Sequence, residues 1–287
     1  AAPLLQAAID RVAQRGGGTV FAAAGTYRIA SHVIVREGVT LRGDSAAQTP
    51  GAGTLLSITA DKDREDAPAT FSIERGGGLT GLTFWYPEQR LPDPVPYPWT
   101  IKNATMPAND NQTVADCTFV NAWKAICIGP DGNELHTFRQ LRICALKTGI
   151  EIDSTTDIGR MSEVTVAPSV WLASDLPGVP PGPALHDYLL REDTVAVMIG
   201  RSDWEYIWRL EVFGYRRGLV FRKGARGTTN AVMAESRLTG CGRACEVQAL
   251  NQVGFSAYRC EFAGTDRAWL GTPSFDAVVQ FHSCRFD

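Results

Sequence analysis

The feature that most constrains this chain is a two-part repeat. An apolar-x-apolar triplet recurs along the sequence, and about nine residues after it a second short apolar run follows. The triplets are Leu82/Phe84, Cys117/Phe119, Leu141/Ile143, Val164/Val166, Leu210/Val212, Ser236/Leu238, Cys260/Phe262 and Cys284/Phe286. Their first residues lie 35, 24, 23, 46, 26, 24 and 24 apart, and the 46 reads as two turns of 23. The second runs include AICIG (125–129), GIEID (149–153), VWLA (170–173), VMIG (197–200), GLVFRK (218–223), ACEVQ (244–248) and AWLG (268–271). Strands this short cannot each bury an apolar face alone, whereas coils stacked on coils bury them as a continuous ladder. The pattern therefore predicts an all-β chain folded as a right-handed parallel β-helix. A β-sandwich would show turn signals every 8 to 12 residues without the longer echo.

The repeat leaves the two ends to be explained. Pro3 to Arg15 reads as an amphipathic capping helix, with Leu5, Ile9 and Val12 on one face and Gly16–Gly18 closing it. Behind it, GGGTVFAAAGTYRIASHVIVREGVTLRG (16–43) lays down the first rungs with glycine at the corners. A phosphate-binding turn needs its glycines to follow a strand and open a helix; here they end one, which excludes a nucleotide site. The expected organisation is a single β-helix domain over 1–287, with the capping helix at 3–15, first coils at 16–60 and inserted loops at 85–112 and 174–194. At the far end VVQFHSCRFD stops on the first strand of a coil, with Cys284 and Phe286 pointing inward. Further chain or a partner subunit, as in a homo-oligomer, is expected to cover that end.

Composition narrows the partners. With 287 residues, 44% hydrophobic and 21% charged, the chain can bury one large core or two modest ones. A formal charge of -3 gives no basic footprint for nucleic acid and no polybasic membrane patch, and no apolar run approaches a membrane span. Seven cysteines are an odd number, and Cys117, Cys260 and Cys284 fall at core positions, which argues against a disulfide framework. No CxxC pair has histidine partners, and the four histidines, His136 and His186 among them, form no HxH or HExxH. No metal and no cofactor is therefore expected.

The run AAIDRVAQRGGGTVFAAAGTYRI…GVTLRGD resembles the N-terminal signature of the pectate-lyase-like β-helix superfamily, in the helix, the triple-glycine corner and the Gly-Thr-Tyr step. It is also similar to the cap helix and first rungs of the family 55 β-glucanases. The resemblance covers residues 3–44 closely and the later coils generically. It implies the β-helix, a polysaccharide or oligosaccharide as partner, and an extracellular or periplasmic setting, since members are mostly polysaccharide lyases and glycoside hydrolases, with phage tailspikes among them. The Asn-Thr-Asp, Asp-Asp and Gly-His-Gly of polygalacturonases are absent here, as is the Arg-x-Pro-x-x-Arg of calcium-dependent pectate lyases. No catalytic residue is carried over from those families.

Candidate site residues come from the outward positions of the second runs. One column reads Cys127, Glu151, Trp171, Met198, Val220, Glu246, Trp269, and the next Gly129, Asp153, Ala173, Gly200, Arg222, Gln248, Gly271. Tryptophan faces stack on pyranose rings, carboxylates bond hydroxyls or exchange protons, and glycines leave room. Glu151 and Asp153, two apart on one strand, form a candidate acid/base pair. Asp153-Ser-Thr-Thr-Asp157 is equally a good turn sequence on local grounds. RSDWEYIW (201–208) offers Asp203 and Glu205 as acid and base, with Trp204 and Tyr206 as sugar platforms, or else a strand whose Trp204, Tyr206 and Trp208 are packed away. FWYPEQRLPDPVPYPW (84–99), with Tyr86 and Glu88, reads as a cleft wall or as a loop packed on itself. The leading expectation is a glycoside hydrolase working by two carboxylates. The alternatives are a polysaccharide lyase, with Arg222, Lys223 and Arg201 available, and a tailspike-like glycan-binding protein.

Overall fold

The computed structural model describes residues 1–47, 52–105, 109–272 and 276–287; residues 48–51 of the first coils and 106–108 of the 85–112 insertion lie outside them. Strand pairing is parallel throughout the register pairs and winds the chain into about ten coils. Each complete coil crosses three sheets in turn. The first sheet runs from Gly18–Ala22 through Val39–Gly43 and Gly78–Thr80 to Asn230–Ala234, Phe255–Tyr258 and Val279–His282. The second runs from Gly25–Ile29 through Thr54–Ile58 and Leu82–Trp85 to Arg285–Phe286. The third runs from Val33–Val35 through Phe71–Ile73 and Trp99–Asn103 to the end of Glu261–Gly271.

The corner between the first and second sheets is a single residue. Asp116, Gln140, Glu163, Arg209, Glu235, Arg259 and Ser283 all have φ between 51° and 54°, and each stands directly before one of the repeating apolar triplets. One left-handed residue turns an extended chain sharply without interrupting its ladder of hydrogen bonds, so long strands such as Asp203–Phe213 serve two sheets. Inside, like residues stack on like: Phe84 lies on Phe119 with centroids 4.7 Å apart, and Ile126, Ile150, Val197, Leu219 and Cys245 are all buried in successive coils.

The first coil is closed by α1 (Ala2–Ala13), which buries Ala2, Leu5 and Ile9. It also satisfies the open strand edge. The Gln6 amide accepts from the Ile34 backbone N–H at 2.7 Å and donates to the Ile34 carbonyl at 3.1 Å, and Asp10 pairs with Arg36 at 2.8 Å.

The 46-residue interval is one coil rather than two. Val164 and Val166 pair with Leu210 and Val212, and Glu151 pairs with Met198, so no rung lies between them. The extra chain leaves the coil after Val166 as two helices, α2 (Ser169–Leu172) and α3 (Gly182–Arg191), and returns at Val195–Ile199. VWLA is therefore helical: Pro168 accepts the N–H groups of Trp171 and Leu172 and starts a turn that leaves the sheet.

Candidate functional site

The third-sheet face, where the sequence places the acid/base pair, is closed by its own side chains. In register its outward column reads Lys102, Cys127, Glu151, Met198, Val220, Glu246, Leu270, so Trp269 points inward, stacked on Phe255 at 6.2 Å. Glu151 is ion-paired to Arg222 at 2.7 Å, reaching across two coils. Glu246 is 7% exposed and held by Arg243 at 2.9 Å and Gln248 at 2.8 Å. Burial acts to raise the Glu246 pKa, but the hydrogen bonds from Gln248 and Arg243 outweigh it and leave the carboxyl below the usual range.

Asp153 is a structural residue. Its Oδ1 accepts the backbone N–H groups of Ser154 at 2.7 Å and Arg201 at 3.0 Å, and its Oδ2 that of Ala225 at 2.9 Å. The carboxylate is buried against Gly200 and Gly224, where an added Cβ would stand 2.7 and 2.0 Å from Oδ1. A carboxylate saturated by backbone donors and shut off from water ties three coils together; it is not available to a sugar.

The 201–208 cluster divides by side of the strand. Glu205 is wholly buried, accepting from Ser202 Oγ at 2.7 Å and facing His136 Nε2 at 3.3 Å, which removes it from any acid/base role toward an outside ligand. Gly159, in register with Glu205, leaves the space that this contact crosses. Asp203 is gripped by the Arg201 guanidinium at 2.7 and 3.3 Å, and that contact holds the Arg201 pKa above its ordinary value. Trp204, Tyr206 and Trp208 all point outward and are about two-fifths exposed. A bulge shifts the register between Asp203 and Glu205, and from Trp204 to Trp208 outward and inward residues alternate.

Two further expectations are corrected by burial. Trp171, on α2, is fully buried between that helix and the coil, so it is no sugar platform. Tyr86 is fully buried too, packed on Tyr97 at 4.6 Å and sharing a hydrogen bond with Thr100 at 2.6 Å; burial pushes its phenol far above the ordinary value. The 84–99 loop folds back on itself, with Gln89 bonding both the N–H and the carbonyl of Val95. Glu88 sits at its rim, paired with Lys62.

The open surface lies instead on the second sheet. Three adjoining depressions of about 380, 390 and 270 Å³ run along the stack of coils. The first and second share Gln140 and Arg142, and the second and third share Thr165 and Glu211, so they form one groove. Its floor is the outward column Thr118, Arg142, Thr165, Glu211 and Arg237, one residue per coil. Its lip is the row of left-handed corner residues, where Glu163 and Glu235 each pair with Arg209 at 3.4 Å. Arg142 and Glu211 are exposed and have no ion-pair partner among the described residues. The signal for this surface was in the sequence: the middle residue of each apolar-x-apolar triplet must point outward by the same period-2 rule applied to the second runs. No group of three or more His, Cys, Asp or Glu side chains is placed to hold a metal among the described residues.

No protein-family model matches the sequence, and no curated protein matches it. Several solved structures do. The A-module of the Azotobacter vinelandii mannuronan C-5 epimerase AlgE4 is 10% identical, with 100% of this chain and 93% of that one covered and a TM-score of 0.43. A mutant tailspike protein of E. coli bacteriophage HK620, in complex with a pentasaccharide, is 12% identical over 100% of this chain and 63% of its own, with a TM-score of 0.50. The tailspike of Acinetobacter phage vB_ApiP_P1 is 11% identical over 98% and 52%, with a TM-score of 0.47. This chain thus spans about half to two thirds of the tailspikes' length. What the HK620 tailspike shares with this chain is the winding of the backbone, a parallel β-helix.

Proposed function

We propose that this chain acts on a polysaccharide held lengthwise in the second-sheet groove, and that its chemistry is hydrolysis by the carboxylates of Glu211 and Glu163. The observation that carries this reading is Glu211, an exposed carboxylate without an ion-pair partner among the described residues, in the middle of a groove that continues to either side. Glu163 lines the same depression and lies diagonally across from it. The strand spacing and a two-residue rise put their Cα atoms about 8 Å apart. From that backbone spacing the two side chains can bring their carboxyl groups to the separation of about 6.5–9.5 Å at which one group protonates a leaving oxygen while the other activates water. Glu211 takes the acid role, and Glu163, steadied by Arg209, the base role. Arg142, Thr165 and Arg237 supply donors for ring substituents along the floor. That this fold accommodates a saccharide is seen in the HK620 tailspike with its pentasaccharide. An extracellular or periplasmic setting goes with this reading.

Elimination from a uronate polymer is the second reading, favoured by the unpaired Arg142 guanidinium in the same depression. The deciding experiment incubates the protein with neutral and uronate polysaccharides and follows reducing ends and the ultraviolet absorbance of unsaturated products together. Hydrolysis gives reducing ends alone, and Glu211→Gln lowers their rate by at least about 100-fold, the size of a lost acid/base group. Rising absorbance establishes the lyase. Silence with every substrate leaves a glycan-binding protein and removes the catalytic assignment.

A further inference from the structure

We propose that the apolar hollow between the helical insertion and Phe213 is a subsite for an acetyl substituent carried by the glycan in the groove. The inference rests on the reading that a glycan lies there. The hollow, about 300 Å³, is lined by Pro168, Ser169, Leu172, Ala173, His186 and Phe213, and its surface is almost wholly apolar. It shares Ser169 and Phe213 with the depression that holds Glu211, so it opens sideways from the groove. Phe213 follows Glu211 by two residues on one face of the same strand, about 7 Å along it. The hollow therefore stands beside the sugar ring nearest the carboxylate assigned the acid role.

The walls of the hollow are held in place. Phe213 is almost half exposed, yet its ring is fixed from two sides. His186 of α3 meets it nearly at right angles, with centroids 5.8 Å apart and planes at 82°. In the next coil Gly240 leaves the ring its place, since a Cβ there would stand 2.6 Å from Phe213 Cε2. The lining then selects the chemistry of what enters. A sugar hydroxyl pushed against it would give up water and find no partner, whereas a methyl group gains by burial. A methyl attached directly to a sugar ring stays over the groove floor. The methyl of an acetyl group stands further out, on its ester or amide linkage, and reaches a hollow at the groove's side. Its carbonyl is left at the mouth, where the exposed Ser169 hydroxyl can donate to it.

The test titrates N,N′-diacetylchitobiose, O-acetylated cellobiose and cellobiose itself into the full chain, three sugars that share one backbone and differ in the acetyl group. Binding is followed by heat and by saturation transfer to the ligand protons. At least one acetylated disaccharide is expected to bind about 10-fold or more tighter than cellobiose, with its acetyl methyl the most strongly saturated signal. Preference for the amide alone assigns the subsite to N-acetyl groups, and for the ester alone to O-acetyl groups. Phe213→Ala and Ala173→Glu, both at exposed positions, each remove most of that preference, and thermal melting checks that both variants fold. Equal binding of the three sugars, no binding at all, or a preference that survives both substitutions overturns the inference. So does self-association in sedimentation that Phe213→Ala abolishes, which would make the hollow a contact between copies. Hydrolysis without an acetyl preference sinks this inference alone, while an acetyl preference in a chain that cleaves no polysaccharide sinks the catalytic assignment alone.

Discussion

Asp153 and Gly159 show how much a single position can carry in a stacked fold. At Asp153 three backbone N–H groups from three different turns converge on one buried carboxylate. Replacing one oxygen by an amide NH2 sets donor against donor, so Asp153→Asn is expected to lower stability by about 1–3 kcal/mol. Urea unfolding reads this, and an unchanged midpoint would show that water already serves those donors. Gly159 is constrained by space. An alanine Cβ there would stand 2.1 Å from Glu205 Oε2 and 2.5 Å from the His136 ring, both fully buried. Gly159→Ala should cost about 1–3 kcal/mol by overpacking, and Glu205→Ala in the same chain should recover part of it by clearing the clash. Such a rescue in thermal melts would distinguish crowding from backbone strain.

At the scale of elements, the loop at 60–68 is pinned to the third sheet by charge. Glu65 accepts from Lys147 at 2.6 Å and lies 3.2 Å from Lys124, and is about one quarter exposed. Burial acts to raise its pKa, yet the two lysine hydrogen bonds prevail and lower it. A carboxyl with a folded pKa below its unfolded value of about 4.3 adds stability that is present above that value and lost as pH falls through the folded one. Wild type should therefore exceed Glu65→Gln by about 1 kcal/mol near neutrality, with the gap closing below about pH 4. Melting curves at pH 7, 5 and 3 check the sign, and a gap that widens in acid would refute it. The corner row is a different kind of element. Asp116, Gln140, Glu163, Arg209, Glu235, Arg259 and Ser283 share one backbone conformation but no residue type, because a left-handed turn constrains φ and leaves the outward side chain free. That freedom lets the same corner form the lip of a groove.

Over the whole molecule, stability is shared between neighbouring coils, as in other solenoids. Removing residues 1–15 takes away α1, bares Ile34 and uncovers the residues under Leu5 and Ile9. Hydrogen exchange should then lose protection first at 18–43, while 230–262 stays protected. Uniform loss along the chain would show a single cooperative unit instead.

The repeat was legible because coil stacking imposes it: every inward residue must be apolar, and every coil must return to the same place after 22 to 26 residues. The capping helix was legible from its face and closing glycines. The helical insertion was not, because its 23 extra residues equal one coil and VWLA is as apolar as a rung; only the pairing of Glu151 with Met198 decides it. The candidate site was half legible. Alternation separates the two sides of a strand, but it left open whether Trp204 and Tyr206 face out or pack away, and only burial in the folded chain places them outward. It could not tell which outward carboxylates remain available, since that depends on partners from other coils: Arg222 for Glu151, the N–H groups of Arg201 and Ala225 for Asp153. The sequence by itself determined the winding, because burial has a period that can be read along one chain. The groove was decided only by the tertiary structure, because an open surface is defined by what neighbouring coils leave uncovered.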